Sequence, residues 1–269
     1  MNNFHTDEPL DTRVGHAGWS DHRYFSRWVF KELAGNVSTT GLIVMAATGQ
    51  VIDDNDCDML DDVATILTVA DPRIYPLKLA RLASAYGSSL AGQAAAVAAM
   101  EGAIVGPQIS QDAAFWLIDV KTELGRSIED PIEIRKVVEK HFSQKTRISG
   151  FGVPFRKVDE RRLALTECVS ARNRSEGAYW KLQNVIAEIV LDIRGVPANV
   201  GLSVAALSLD MGLRPGDLAS LYIGLTINVF LANAVEGAKQ APGILRCIPD
   251  KHVEYVGVPP RTYAKTTCK

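Results

Sequence analysis

The chain has 269 residues and a formal net charge of −2, with 47% hydrophobic and 22% charged residues. That is the composition of a soluble globular protein with ample core, and it gives no bulk electrostatic pull toward nucleic acid or an anionic membrane. Its four cysteines (Cys57, Cys168, Cys247, Cys268) include no CxxC pair and its five histidines no HExxH spacing, which argues against a disulfide framework or a zinc motif.

Residues 1–24 are polar, with Trp19 and Tyr24 as candidate anchors, and the acidic start Met1–Leu10 does not read as a signal peptide. With reduced thiols, this points to a cytoplasmic protein. Phe25–Leu33 reads as a short helix stopped by Gly35-Asn36, and Thr39–Thr48 as a helix closed by Gly49. Asp53 or Asp54 is placed to cap a helix running to Val69, which Asp71-Pro72 breaks. Pro76–Val105 is rich in Ala, Leu and Gly and splits near Gly87-Ser88-Ser89. Its small side chains favour a closely packed helical hairpin, closed by Gly106-Pro107.

Asp112–Leu124 is the next helix, ended by Gly125, and Asp130-Pro131 opens a helix through Phe142. Glu160–Ala171 is helical. Tyr179–Arg194 has apolar residues at helical spacing (Trp180, Val185, Ile186, Ile189, Val190, Ile193) and stops at Gly195. Val200–Met211 follows, and then a long Leu218–Lys239 helix with Asp217 as its candidate cap. Its Leu218–Val235 part is apolar and about a bilayer in length, but Ser220, Thr226, Asn228 and Asn233 interrupt it, so a buried core helix is the expectation. The proline-bearing tail from Ala241 reads as extended. The pattern predicts an all-α fold of a dozen or more helices.

The most informative stretch runs from Arg147 to Arg161. Gly150 and Gly152 flank Phe151, and Arg156, Asp159 and Arg161 follow. Such glycines let a ligand approach the main chain, and guanidinium groups suit a phosphate or carboxylate. The plainer alternative is a surface turn with charged flanks.

This stretch resembles the citrate synthase motif G-F/Y-G-H-x-V/L-x-x-x-D-P-R. Other segments resemble the same family in the same order. Ala83–Leu90 with Gly106-Pro107 resembles the lead into G-P-L-H-G-G, and Pro197-Ala198-Asn199-Val200 resembles P-x-N-V-D. Leu221–Glu236 resembles the I-G-R helix, and Glu254-Tyr255-Val256-Gly257 the E-Y-V/I-G ending. The short length and compact N-terminal region resemble the small citryl-CoA lyase or synthase-like members more than full-length citrate synthases. The resemblance implies an all-α fold with a large domain (1–111 and 211–269) and an inserted small one (112–210). It also implies a dimer, a CoA thioester as substrate, and no further cofactor or metal. In this family a carboxylate enolises the thioester, and two histidines assist at the enolate oxygen and at the electrophile's carbonyl. By the same resemblance Arg161 contacts a substrate carboxylate, Arg156 lies near the CoA phosphates, Asp159 fixes those arginines, and Gly150 and Gly152 shape the loop.

The chain departs from the family where the chemistry sits. The two histidine positions are Ile109 and Val153, and the aspartate position is Gly201. None of these can donate, accept or carry a proton through its side chain. The arginine of the I-G-R helix is Leu225, that of the C-terminal region falls near Asp250, and the histidine before the hairpin is Pro72. An oxaloacetate-like dianion is therefore disfavoured. Two readings remain open: a divergent Claisen-type enzyme without standard citrate synthase activity, or a non-catalytic homologue. The second would be a structural or regulatory subunit, alone or paired with an active relative, or an acyl-CoA binder. Gln108, Ser110, Asp112, His141 and His252 are candidate replacement groups. Each also has a structural alternative: helix caps for Ser110 and Asp112, a turn for Gln108, and solvated side chains for His141 and His252.

Overall fold

The computed structural model describes residues 11–20, 22–100, 106–144, 147–153, 156–240, 250–252 and 254–258. Among these it is an all-α fold apart from one small sheet. The sheet is an antiparallel β1 (Gly15–Ala17), β2 (His22–Tyr24) and β3 (Arg27–Trp28), followed by a wide helical turn over Val29–Leu33. The single helix expected over Phe25–Leu33 is thus a turn at Phe25-Ser26, a short strand at Arg27–Trp28 and a helical turn only from Val29. Phe25 and Ser26 turn the chain with positive φ of 47° and 65°, which a helix cannot accommodate. Trp19 is fully exposed and anchors nothing.

Eleven α-helices follow: α1 (Thr39–Thr48), α2 (Asp54–Ile66), α3 (Tyr75–Tyr86), α4 (Ser89–Ala98), α5 (Gln108–Leu124), α6 (Pro131–Gln144), α7 (Glu160–Ala171), α8 (Ala178–Arg194), α9 (Val200–Asp210), α10 (Leu218–Leu225) and α11 (Ile227–Gly237). Local chemistry sets many of the starts. Ser38 accepts from the Gly41 N–H at 3.0 Å, Asp53 from Asp56 at 2.8 Å and Ser88 from Ala91 at 3.3 Å, each satisfying an otherwise orphaned helix donor. The second helix ends at Ile66, short of Val69.

α5 begins four residues earlier than expected, with Pro107 before its first turn. Ser110 and Asp112 therefore lie inside the helix and cap nothing. The expected boundary between 111 and 112 falls within α5.

The long apolar helix is two helices. The Thr226 N–H and Oγ1 both bond the Tyr222 carbonyl, at 3.2 and 2.6 Å, and the backbone leaves helical geometry there. Asp217 does not cap α10; it pairs with Arg214 at 2.7 Å. The run is also not uniformly buried. Ile227, Leu231 and Val235 stand exposed on one face of α11, while Val229, Phe230 and Ala234 are buried. Pro215–Gly237 is long and apolar enough to cross a membrane by composition alone. The inner faces of α10 and α11 are packed against the rest of the protein.

The main core is built from α1, α2 and α5–α10. α9 is its centre: every residue from Val200 to Ser208 is buried, and it packs against α5, α7 and α8. The polar groups this buries are paired, as burial requires. Ser203 Oγ donates to Gln183 Oε1 at 3.2 Å. Ser208 Oγ donates to the Val204 carbonyl at 2.7 Å and accepts from the Tyr222 hydroxyl at 2.6 Å. A second, smaller cluster joins α3, α4 and α11 through Leu77, Ala80, Ala96, Val229, Phe230 and Ala234. The tail from Ala241 to Pro249 lies outside the described residues.

Candidate functional site

The glycine stretch is bound to the start of α9. Gly150 and Gly152 have φ of 97° and 89°, a region that other residues rarely adopt. A side chain at Gly150 would also place its Cβ 2.9 Å from Leu202 Cβ. Between them, Phe151 pairs antiparallel with Ala198. The Gly152 N–H donates to Pro197 O at 2.8 Å and the Asn199 N–H to Gly150 O at 2.9 Å. The Asn199 side chain closes the joint, since its Nδ2 donates to Gly152 O at 3.1 Å and its Oδ1 accepts from the Gly201 N–H at 2.9 Å.

Asp159 completes this arrangement. It is 1% exposed, caps α7 and accepts from Arg161 Nε and Nη2, both at 2.9 Å. It also accepts from the Val200 N–H at 2.9 Å. Burial pushes its carboxyl up, but the bonds from Arg161 and Val200 outweigh this and hold it below the ordinary aspartate range. The first N–H groups of α9 are therefore taken by Asp159 and Asn199, so this helix start is closed to an external anion. Asp159 fixes Arg161, as expected, but not Arg156. Arg156 is exposed and paired with Glu160 one helical turn on, away from the cavity wall.

Beside this joint lies a cavity of about 670 Å³, within the usual range for a small-molecule site. Ile109, Val153 and Gly201, the three replaced positions, all line it, together with Gly150, Gly152 and Arg161. Of the candidate replacement groups only Ser110 reaches the wall. Gln108 and Asp112 bond each other at 3.0 Å. His141 is largely buried, contrary to its expected solvation: its Nδ1 accepts from Trp116 Nε1 at 3.0 Å, which leaves Nε2 to donate to Glu123 at 3.0 Å. His252 sits in an exposed turn. Leu225 is buried in the main core.

Arg147 and Ser149, at the start of the glycine stretch, also line the cavity, and Tyr222 and the apolar side chains of α11 line it without having been singled out from sequence. Arg147 was legible as the cation next to the glycine turn. Nothing local marks Tyr222, Val229 or Phe230, which arrive by tertiary packing.

The only ionisable side chains among the described wall residues are Arg147, Arg161 and Tyr222. Burial drives the Tyr222 hydroxyl upward, so it stays a neutral donor to Ser208. No carboxylate, imidazole or thiol is present on that described wall to take a proton from a thioester carbon. Two of the replaced positions also fit each other. A Cβ built on Gly201 would lie 2.9 Å from Ile109 Cγ2 and 3.0 Å from Asn199 Oδ1, so an aspartate there would meet both the isoleucine and the helix cap.

No protein-family sequence model matches the chain, and no curated protein sequence does. Solved structures do. A citryl-CoA lyase from Hydrogenobacter thermophilus superposes with a TM-score of 0.78 at 23% identity, covering 96% of this chain and 98% of that one. An ATP citrate lyase from Methanothrix soehngenii, in complex with citrate and coenzyme A, gives 0.72 at 16% identity, covering 97% of this chain and 44% of that one. Citrate synthase from Thermotoga maritima gives 0.61 at 18%, covering 80% and 56%. The chain therefore has the citrate-synthase-like fold that the five motifs implied.

Proposed function

We propose that this protein binds a CoA thioester in the cavity beside the glycine turn and lacks the proton-transfer set of a citrate synthase. One observation carries the reading. The three positions where the family places its acid–base groups converge on a single cavity here, as Ile109, Val153 and Gly201. The expected losses are large, because a general base and an enolate donor each contribute roughly a hundredfold or more. The fit of Ile109 over Gly201 supports a non-catalytic homologue over a divergent Claisen-type enzyme, since the apolar pair is packed rather than merely vacated. The divergent-enzyme reading draws on one feature: Arg161 Nη1 has no described partner and its side chain lines the cavity, so it could polarise a carbonyl.

The test is an assay of the purified chain for citrate formation from acetyl-CoA and oxaloacetate, and for citryl-CoA cleavage, alongside calorimetric titration with CoA and acetyl-CoA. We expect binding without turnover. Robust turnover in either direction would overturn the non-catalytic reading, and absence of binding at millimolar ligand would overturn the thioester reading. In line with the resemblance, we further propose a cytoplasmic homodimer. The exposed face of α11 carrying Ile227, Leu231 and Val235 is the surface we assign to the contact.

A further inference from the structure

We infer that the cavity receives a medium-length hydrocarbon acyl chain, and not a di- or tricarboxylate. This rests on the thioester reading above and deepens it. The replaced positions are only part of the apolar wall. Leu67, Ile74, Leu77, Met100, Val229 and Phe230 extend it along the loop after α2, the start of α3, the end of α4 and α11. These residues come from elements distant in sequence from the glycine turn, so the apolar character extends along the described wall and is not confined to three local losses. Its volume of about 670 Å³ exceeds what a two-carbon acyl group can fill, and an apolar void gains most from an apolar occupant.

The charge balance points the same way. Arg161 is neutralised by Asp159 through two hydrogen bonds, and the first N–H groups of α9 are already bonded. Arg147 is the one cation on the described wall with no partner among the described residues, and it is exposed, so it sits at the mouth. That arrangement serves one anionic or polar head. A second or third carboxylate carried inward would be desolvated with no further cation on the described wall to meet it. The ligand that fits has its polar end at Arg147 and Arg161 and its hydrocarbon against the aliphatic wall.

The experiment is calorimetric titration of the full chain with octanoyl-CoA, acetyl-CoA, CoA, octanoate, oxaloacetate and citrate. Each buried methylene is worth up to about fourfold in affinity, so octanoyl-CoA should bind at least about tenfold more tightly than acetyl-CoA, and citrate and oxaloacetate more weakly than octanoate. Val153→Asp, with its fold checked by circular dichroism, should lose that preference. Equal affinity for octanoyl-CoA and acetyl-CoA would overturn the inference while leaving the thioester reading intact. So would tighter binding of citrate or oxaloacetate than of octanoate, or an unchanged preference in folded Val153→Asp. Binding of octanoate with no binding of any CoA compound would support the hydrocarbon site, name a free fatty acid as its source and overturn the thioester reading. No binding by any of the six would overturn both.

Discussion

Gly201→Ala tests whether the replaced positions are packed together. The new Cβ would lie 2.9 Å from Ile109 Cγ2 and 3.0 Å from Asn199 Oδ1, inside normal contact distance on two sides. Overpacking of this kind costs about 1–3 kcal/mol. Removing a glycine from the unfolded chain returns about 0.4–1 kcal/mol, so the net loss should lie between about 0 and 2.6 kcal/mol. Ile109→Ala alone removes a half-buried side chain at a cavity wall and should cost about 1–3 kcal/mol, less than the roughly 2–5 kcal/mol of fully buried truncations. In the double variant the clash with Ile109 is gone, and only the approach to Asn199 remains. The two changes should therefore couple favourably by about 1–2 kcal/mol, above the roughly 0.3–0.5 kcal/mol scatter of independent sites. Urea denaturation of the four proteins, followed by circular dichroism, measures the cycle. A stabilising Gly201→Ala, or strict additivity, would refute the packing argument and with it the claim that an aspartate cannot simply be restored at 201.

Other predictions concern the joint, the ligand and the surface. Asp159→Ala should cost about 3–5 kcal/mol, because it strips α7 of its cap and leaves Arg161 and the Val200 N–H without their acceptor. The folded-state carboxyl is held below its ordinary value. Its contribution should thus be complete above the unfolded pKa of about 3.9 and fade as pH falls below that. The wild-type advantage over the variant in thermal melts should narrow below about pH 4, and a gap constant down to pH 2.5 would contradict this. Arg161→Ala should weaken an acyl-CoA ligand by about tenfold, the usual order for one charged hydrogen bond; unchanged affinity would make Arg161 purely structural. Leu231→Glu, on the exposed face of α11, should convert the proposed dimer to monomer in sedimentation velocity, and a wild-type chain that is already monomeric would refute that proposal.

Most of the helices could be read from the chain because their ends carry local chemistry. Gly49 and Gly195 stop helices in left-handed geometry, while Asp53, Ser88 and Asn199 satisfy orphaned donors at the starts. Reading failed where long-range contacts decide. The small sheet at residues 15–28 has no strong alternation to announce it. The break at Thr226 comes from a hydroxyl returning to its own helix, which hydrophobicity alone conceals. Ser110 has the chemistry of a cap and was displaced from that role by the earlier start of α5. At the site, Ile109, Val153 and Gly201 could be placed because each lies in an ordered motif. The apolar wall from α3 and α11 could not, since Leu77, Val229 and Phe230 look like any other core residues until the fold brings them to the cavity.

The tie between the glycine turn and α9 has a kinetic consequence. The amide protons of Gly152, Asn199, Val200 and Gly201 are donated to Pro197, Gly150, Asp159 and Asn199. None of these four exchanges can occur by fraying at one end, because each bond spans the turn and the central helix or sits where they meet. They should exchange with solvent deuterium on a common timescale, as one cooperative opening unit. A ligand entering the cavity would then register as slowed exchange at Val200 and Gly201 as much as at the turn it touches.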